Sequence, residues 1–263
     1  MSSNPYYYDL NAYTCETDEF RRMDFGENGL ESIFTYAQNN NFDPYMVMAV
    51  VMLNNSFEND DITKQELLLC DYNASLKHIS RFKEKELKIL ANAYRILLDD
   101  LVYFPIPGGN SERSRSFYYD DSWGGERTYG GERTHEGTDI MDGENERGFF
   151  PIISISSGVV ENIGWLEQGG WRVGIRTGSG AYIYYAHLHS YAPKIFKGYE
   201  VRAGELLGFM GDTGYSKTEG ATGNFDVHLH LGIYFQTAHY EELSVNPYYI
   251  LKYLENKKLK YSY

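Results

Sequence analysis

The chain predicts an α+β protein, with an N-terminal helical bundle followed by a mostly antiparallel β domain. Three observations carry this. Glycine is segregated: only Gly26 and Gly29 occur before residue 108, and the other 24 of the 26 lie after it. Apolar residues ahead of that point recur at helical spacing, whereas beyond it they fall in short runs punctuated by glycine. The join is marked by Pro105-Ile106-Pro107-Gly108-Gly109, so domains are expected at 1–107 and 108–263, the second with a core at about 120–235.

In the first domain Leu30, Ile33, Phe34 and Ala37 share a helical stripe. Asp43-Pro44 reads as an N-cap with proline at the first helical position, opening an apolar segment to about Asn54. Asp61 or Thr63 caps a stretch to Cys70, residues 72–80 form a short helix, and Lys83 to Tyr103 places Leu87, Leu90, Ala91, Tyr94, Leu97, Leu98 and Leu101 on one face. In the second domain, strands are expected at Ile152–Ser156, Gly158–Ile163, Val173–Thr177, Ala181–His187, Leu206–Met210 and Asp226–Phe235. Asn110 to Gly131 reads as an ordered surface loop, Tyr248 to Leu254 as a closing helix, and Glu255 to Tyr263 as a polar tail. There is no internal repeat.

Composition narrows the function. A formal net charge of −13 and a pI near 5.0 argue against partners such as nucleic acid or anionic membrane, which require basic patches. The longest apolar run, Met46 to Leu53, falls far short of the ~20 residues that span a bilayer. The N-terminal residues show no cationic start or apolar core of a signal peptide, and whether an export signal was removed is left open. Cys15 and Cys70 are too few for a disulfide framework. They make one bridge or remain buried thiols. Oligomeric state is not encoded in any visible motif.

Six of the seven histidines lie in the β domain: His135, His187, His189, His228, His230 and His239. His78, on the helical side, reads as a polar-face residue. In Asp226–Tyr234, strict alternation turns Val227, Leu229, Leu231 and Ile233 inward and puts His228 and His230 on the opposite face. Residues two apart on a strand stand roughly 6.5 to 7 Å apart along it, close enough to address one site without binding one atom. Taken alone, the pair equally suits a solvated strand face. His135 and Asp139 are four apart, a spacing that chelates on a helical turn or, with Gly137 between them, in a tight loop. Adding one further histidine makes three ligands with an open position, the plan of a catalytic zinc site. By itself His-x3-Asp also suits a surface loop. Tyr182, Tyr184 and Tyr185, beside the histidines, suit the wall of a groove for an extended ligand.

Order and surroundings extend these motifs. Arg127, His135-x3-Asp139-Ile140, Ala181-Tyr182-Ile183-Tyr184-Tyr185-Ala186-His187-Leu188, the run Gly198, Gly204, Gly208, Gly211 and Gly214, and His228-Leu229-His230 follow one another. In this the chain resembles the lysostaphin/LytM-type zinc metallopeptidases of the M23 family, over about residues 120–235. The helical region carries no such resemblance. The resemblance implies an antiparallel sheet with a groove and one Zn²⁺ per chain held by His135, Asp139 and His230. It further implies that His187 and His228 serve the chemistry, that peptidoglycan peptides are the substrate, and that the protein works in the cell wall or elsewhere outside the cytoplasm. Tyr215 to Phe225 is longer than the family's usual glycine-rich link, and Asp226-Val227 stands where Gly-Pro is common; that segment rims the groove and bears on substrate preference.

The roles suit the chemistry. Peptide hydrolysis needs a nucleophile at neutral pH, which zinc supplies by lowering the pKa of water to ~7, and a histidine to move the proton. His189 competes with His187 for that role, since both would share a face if the strand continued; the Tyr-x-His-Leu context selects His187, with His189 at or past the strand end. His239 reads as a surface residue, and Glu136 has no assured role. A silent LytM-type relative that binds wall peptides or regulates another hydrolase is the alternative, but would be expected to have lost ligands. A cupin-like oxygenase would need a His-x-His opening the order, which is absent. The helical region is left with targeting, inhibition or dimerisation as possible roles.

Overall fold

The computed structural model describes residues 9–58, 72–109, 115–129 and 131–261. The chain forms two compact units: the first runs up to Asp99 and includes Phe235–Leu243, and the second comprises Asp100–Tyr234 and Ser244 onward. The division therefore falls earlier than the Pro105–Gly109 join, and a stretch of the C-terminal half is grouped with the helices.

In the first unit, a 3-10 turn (Thr14–Glu16) and a short helix (Asp18–Arg21) precede the Gly29–Asn40 helix. Asn41 ends that helix in the left-handed conformation, φ 54°. The Pro44–Asn54 helix starts where Asp43-Pro44 predicts, the Asp43 side chain accepting from the Tyr45 N–H at 3.1 Å. Its other carboxylate oxygen meets Arg95 Nη2 at 2.7 Å, so one side chain both caps the helix and ties it to the next. Residues Val47 to Leu53 are all buried, making this the central helix of the unit.

The two helices expected on either side of Lys83 form one span, Tyr72–Leu98, with a kink at Lys83 (φ −141°, ψ 34°). The Lys83 ammonium donates to the Leu10 carbonyl at 2.9 Å. The helix stops at Leu98 rather than Tyr103: Leu101 instead makes an isolated antiparallel bridge to Ser156, which takes the place of the last predicted turn. Phe20, Phe57, Tyr94 and Phe235 cluster in the core, with Phe20 at ring-centre distances of 4.8 Å from Tyr94 and 6.0 Å from Phe235. The Asp61/Thr63 to Cys70 helix lies outside the described residues. Cys15 is a free, buried thiol, pushed up to about 11 by burial and then by Glu16.

The second unit is built on strands β1 (Gly108–Gly109), β2 (Phe117–Tyr118), β3 (Glu126–Arg127), β4 (Arg133–Thr134), β5 (Thr138–Asp142), β6 (Pro151–Ile153) and β7 (Gly158–Leu166). These are followed by β8 (Gly170–Thr177), β9 (Tyr182–Tyr191), β10 (Glu200–Val201), β11 (Leu206–Met210), β12 (His228–Phe235), β13 (Leu243–Val245) and β14 (Lys260–Tyr261). The main sheet has the order β10-β7-β8-β9-β12-β5-β2, with antiparallel neighbours, and β11 pairs with both β6 and the end of β9. The alternation read from the sequence holds: Val173, Ile175, Ile183, Tyr185, Leu229, Leu231 and Ile233 are fully buried on one face. The closing helix, Tyr248–Leu254, buries Ile250, Leu251 and Leu254.

Three expectations change. β5, the strand carrying Asp139, was expected as a turn or loop; its pairing with β12 makes it a strand. Within the Asn110–Gly131 stretch the described residues 115–129 contribute β2 and β3 and bury Tyr119, so that part belongs to the scaffold and is not a surface loop. The polar tail is tied down, because Lys260 and Tyr261 pair in parallel with Gly108 and Gly109. Each reflects backbone pairing between residues distant in sequence, which hydropathy does not report.

Candidate metal centre

Register brings the donors together. On β12, His230 stands opposite Asp139 of β5 on one side and Ala186 of β9 on the other. Adjacent strands lie about 4.8 Å apart, so a carboxylate and an imidazole at paired positions on one face must meet. His135 arrives from the loop between β4 and β5. Gly137 makes that loop possible: a Cβ there would lie 2.5 Å from the Leu231 carbonyl oxygen and 2.7 Å from His230 Cε1. Only glycine lets the loop approach β12 this closely.

The result is a triangle of donor atoms. His135 Nε2 lies 3.0 Å from Asp139 Oδ1 and 3.0 Å from His230 Nδ1, and His230 Nδ1 lies 2.9 Å from Asp139 Oδ1. Donors about 2.0 to 2.1 Å from a tetrahedral zinc are separated by about 3.3 Å, so the triangle is nearly the face of such a site before any ion enters. Two imidazoles and a carboxylate are also the right chemistry for zinc. The second Asp139 oxygen is held by Arg127 Nη2 at 2.8 Å. Burial would raise the Asp139 carboxyl, but the His135 and His230 imidazoles against it prevail and hold it well below the usual carboxylate range. Among the described residues, His135, Asp139 and His230 are the group able to hold a metal ion.

The histidines are oriented by carbonyls. His135 Nδ1 meets the Ser122 oxygen at 2.9 Å, His187 Nδ1 the Thr213 oxygen at 2.7 Å, and His228 Nδ1 the Asp226 oxygen at 2.7 Å. A carbonyl can only accept, so each Nδ1 carries a proton, and in the neutral imidazole Nε2 is then the nitrogen with the lone pair. His228 Nε2 is 3.8 Å from Asp139 Oδ1, and the His187 and His228 rings are 4.6 Å apart. Burial, then the proximity of His228 and His230, pushes His187 well below the ordinary imidazole value, so it is neutral at pH 7. Burial likewise lowers His230.

His187 and His189 are separated by backbone conformation, not by the end of the strand. β9 continues to Tyr191 and contains both. Register shifts in its pairing with β8 and with β11 mark bulges here, and His187 adopts a left-handed conformation, φ 61°. His187 is thereby buried in the site, while His189 is exposed. A non-glycine residue in that region costs on the order of 1–3 kcal/mol, a strain typical of functional positions.

The cleft beside the triangle has a volume of about 440 Å³, and its lining includes His135, His187, His230, Tyr184, Tyr215 and Arg133. Of the three tyrosines expected as walls, only Tyr184 lines it. Tyr185 faces the core, where its hydroxyl accepts from the Ile155 N–H at 2.9 Å, and Tyr182 is buried. The Tyr215–Phe225 segment reaches the site as expected: Phe225 packs 4.7 Å from the His187 ring and Tyr215 5.6 Å from it. Exposed Glu136 lines the cleft as well. His239 is half-exposed and pairs with Glu16 at 2.8 Å, and His78 is exposed; both belong to the helical unit. The orienting carbonyls of Ser122, Thr213 and Asp226 carried no sequence signal, since backbone carbonyls have no residue identity; Arg133 was not singled out, and Arg127 stood in the motif order without a role.

Residues 133–247 match the model of peptidase family M23. A solved crystal structure from Ruminococcus gnavus, described as a candidate glycyl-glycine endopeptidase lytM, is 38% identical, with a TM-score of 0.81 and 98% of each chain covered. The chain belongs to peptidase family M23. That likeness extends over the helical unit as well. A curated relative, the L-Ala--D-Glu endopeptidase of Bacillus subtilis (strain 168), is 38% identical over 145 residues, which is 55% of this chain and 41% of that protein. The match thus spans less than half of that relative's length.

Proposed function

We propose that the chain is a zinc-dependent endopeptidase that hydrolyses peptide bonds of bacterial peptidoglycan, in the stem peptide or the cross-bridge, outside the cytoplasm. The observation that carries this is the donor triangle of His135, Asp139 and His230 with two further histidines, His187 and His228, whose Nε2 atoms are left unprotonated. His135 Nε2, His230 Nδ1 and Asp139 Oδ1 would hold the ion. When bound, zinc supplies a Lewis acid for the carbonyl and acidifies water.

The protein's own groups do the rest. His228, nearest the triangle, takes a proton at Nε2 and later returns it to the leaving amine; His187, kept neutral by burial, shares that proton at its own Nε2, and only when protonated there donates to the developing oxyanion. The Ser122, Thr213 and Asp226 carbonyls hold these tautomers throughout. Phe225 and Tyr215 cover His187 and restrict water around it.

The relatives' descriptions name two different bonds, L-Ala--D-Glu for the Bacillus subtilis endopeptidase and glycyl-glycine for the candidate endopeptidase of Ruminococcus gnavus. The test is mass spectrometry of purified peptidoglycan digested with zinc-loaded and chelated protein. Peptides with new amino termini, released only by the loaded protein, are expected; reducing sugar ends without new amino termini would overturn the assignment. No helix among the described residues is long and apolar enough to cross a membrane.

A further inference from the structure

Arg133 lines the cleft with a guanidinium that the hydrolytic chemistry does not use. Its Nε donates to the Tyr129 carbonyl at 3.3 Å and its Nη2 to the Tyr215 hydroxyl at 3.2 Å. Tyr129 and Tyr215 stack on each other, with ring centres 4.8 Å apart and planes at 26°, so the head of Arg133 is fixed from two sides. Nη1 is left without a hydrogen-bond partner among the described residues, and no carboxylate there forms an ion pair with Arg133.

The chain has 37 acidic residues against 24 basic ones, and among the described arginines Arg22, Arg81, Arg172 and Arg202 share with Arg133 the lack of a carboxylate ion pair. Arg115, Arg127, Arg147 and Arg176 each meet a carboxylate. Even Glu136, in the lining of the same cleft, does not pair with Arg133. A prepositioned guanidinium in a cleft beside a reaction centre matches one chemical group best, a carboxylate, which it can bind through two parallel N–H donors.

We propose that Arg133 is a specificity residue that binds a carboxylate of the peptide substrate close to the scissile bond, so that an acidic peptide is selected over a neutral one. This rests on the endopeptidase reading above. A neutral peptide leaves the cation in the cleft without its counter-charge, whereas a hydrogen bond to a charged group separates the two substrates by about ten- to hundred-fold. The Tyr215 hydroxyl acts through Arg133 as a positioning group.

The experiment uses three probes: an acetylated peptide containing L-Ala–D-Glu with its α-carboxylate free, the same peptide as the α-carboxamide, and pentaglycine. Cleavage is followed on the zinc-loaded full chain and its Arg133→Gln, Arg133→Lys and Tyr215→Phe variants, and binding is measured by calorimetry on chelated protein. The wild type should favour the carboxylate over the carboxamide by about ten- to hundred-fold, mostly in KM, with a similar ratio in binding. Arg133→Gln should bring the carboxylate peptide down to the carboxamide's level, Arg133→Lys should restore part of the ratio, and Tyr215→Phe should reduce it. A wild-type ratio near one, or an unchanged ratio in Arg133→Gln, overturns the proposal. Cleavage of none of the three probes by wild type would count against the endopeptidase reading, and the binding ratio would still decide the role of Arg133.

Discussion

At Gly137 one methyl group decides whether the donor triangle closes. A Cβ there would collide with the Leu231 carbonyl and the His230 ring, so Gly137→Ala is expected to move the His135 loop or the His230 side chain. Zinc affinity measured by chelator competition should fall by at least ten-fold while the helical unit keeps its circular dichroism. The histidines separate by role in the same way. His230→Ala leaves two protein ligands, so metal content and activity should fall together. His228→Ala and His187→Ala should keep the metal and lose about 10²- to 10⁴-fold in kcat. If elemental analysis finds zinc retained in His230→Ala and lost in His228→Ala, these roles are reversed. His-x-His alternation identified the face that both residues share; the division of labour proposed for them rests on β5 lying opposite His230.

Among the elements, the segment after β11 shows how a long loop is held beside the site. Arg147 grips Asp212 through two hydrogen bonds of 2.5 and 2.7 Å, and the Gly223 N–H donates to the same carboxylate at 2.7 Å. One carboxylate therefore ties both ends of the segment that carries Tyr215. Burial would raise the Asp212 carboxyl, but the Arg147 and Gly223 hydrogen bonds hold it below its ordinary value. The sign follows: this stabilisation is fully present above the unfolded value of about 3.9 and is lost as pH falls through the lower folded value. Asp212→Asn should cost about 1.5 to 3 kcal/mol at neutral pH, with a difference from wild type that shrinks in melts run below about pH 4. A constant difference down to pH 2 would show that Asp212 does not act through its charge. Glycine spacing and strand alternation made most of the long strands legible, with ends displaced by a few residues. β5 escaped because five residues between a ligand loop and an acidic turn, Thr138 to Asp142, carry too little pattern to separate strand from turn.

For the molecule as a whole, the strand that holds His228 and His230 ends in the helical unit. Phe235, the last residue of β12, is buried against Phe20, and His239 beyond it pairs with Glu16. Phe235→Ala should therefore destabilise the helical unit by about 3 to 5 kcal/mol in denaturant unfolding. A fragment of residues 108–263 retains Phe235 without the residues that bury it, and should melt below the full chain or aggregate. A fragment melting as high as the full chain would show that Phe235 needs no helical partner. Deleting the helical unit is thus a poor test of its role, and point substitutions in its surface are the better route.

The sequence alone determined the two-part organisation, because glycine distribution and hydrophobic period are local properties of the chain. It also picked out the histidines and the aspartate that the fold gathers at one cleft, since these are side-chain identities at readable spacings. Tertiary structure decided what required backbone from distant segments. It set the register that puts Asp139 beside His230 and the bulge that separates His187 from His189. It supplied the carbonyls that choose the tautomers of three histidines, and it left the cleft cation Arg133 without a counter-charge among the described residues. Pairing, strain and desolvation at these points arise between residues as many as 91 positions apart, as His230 and Asp139 are, and no window along the chain contains both partners.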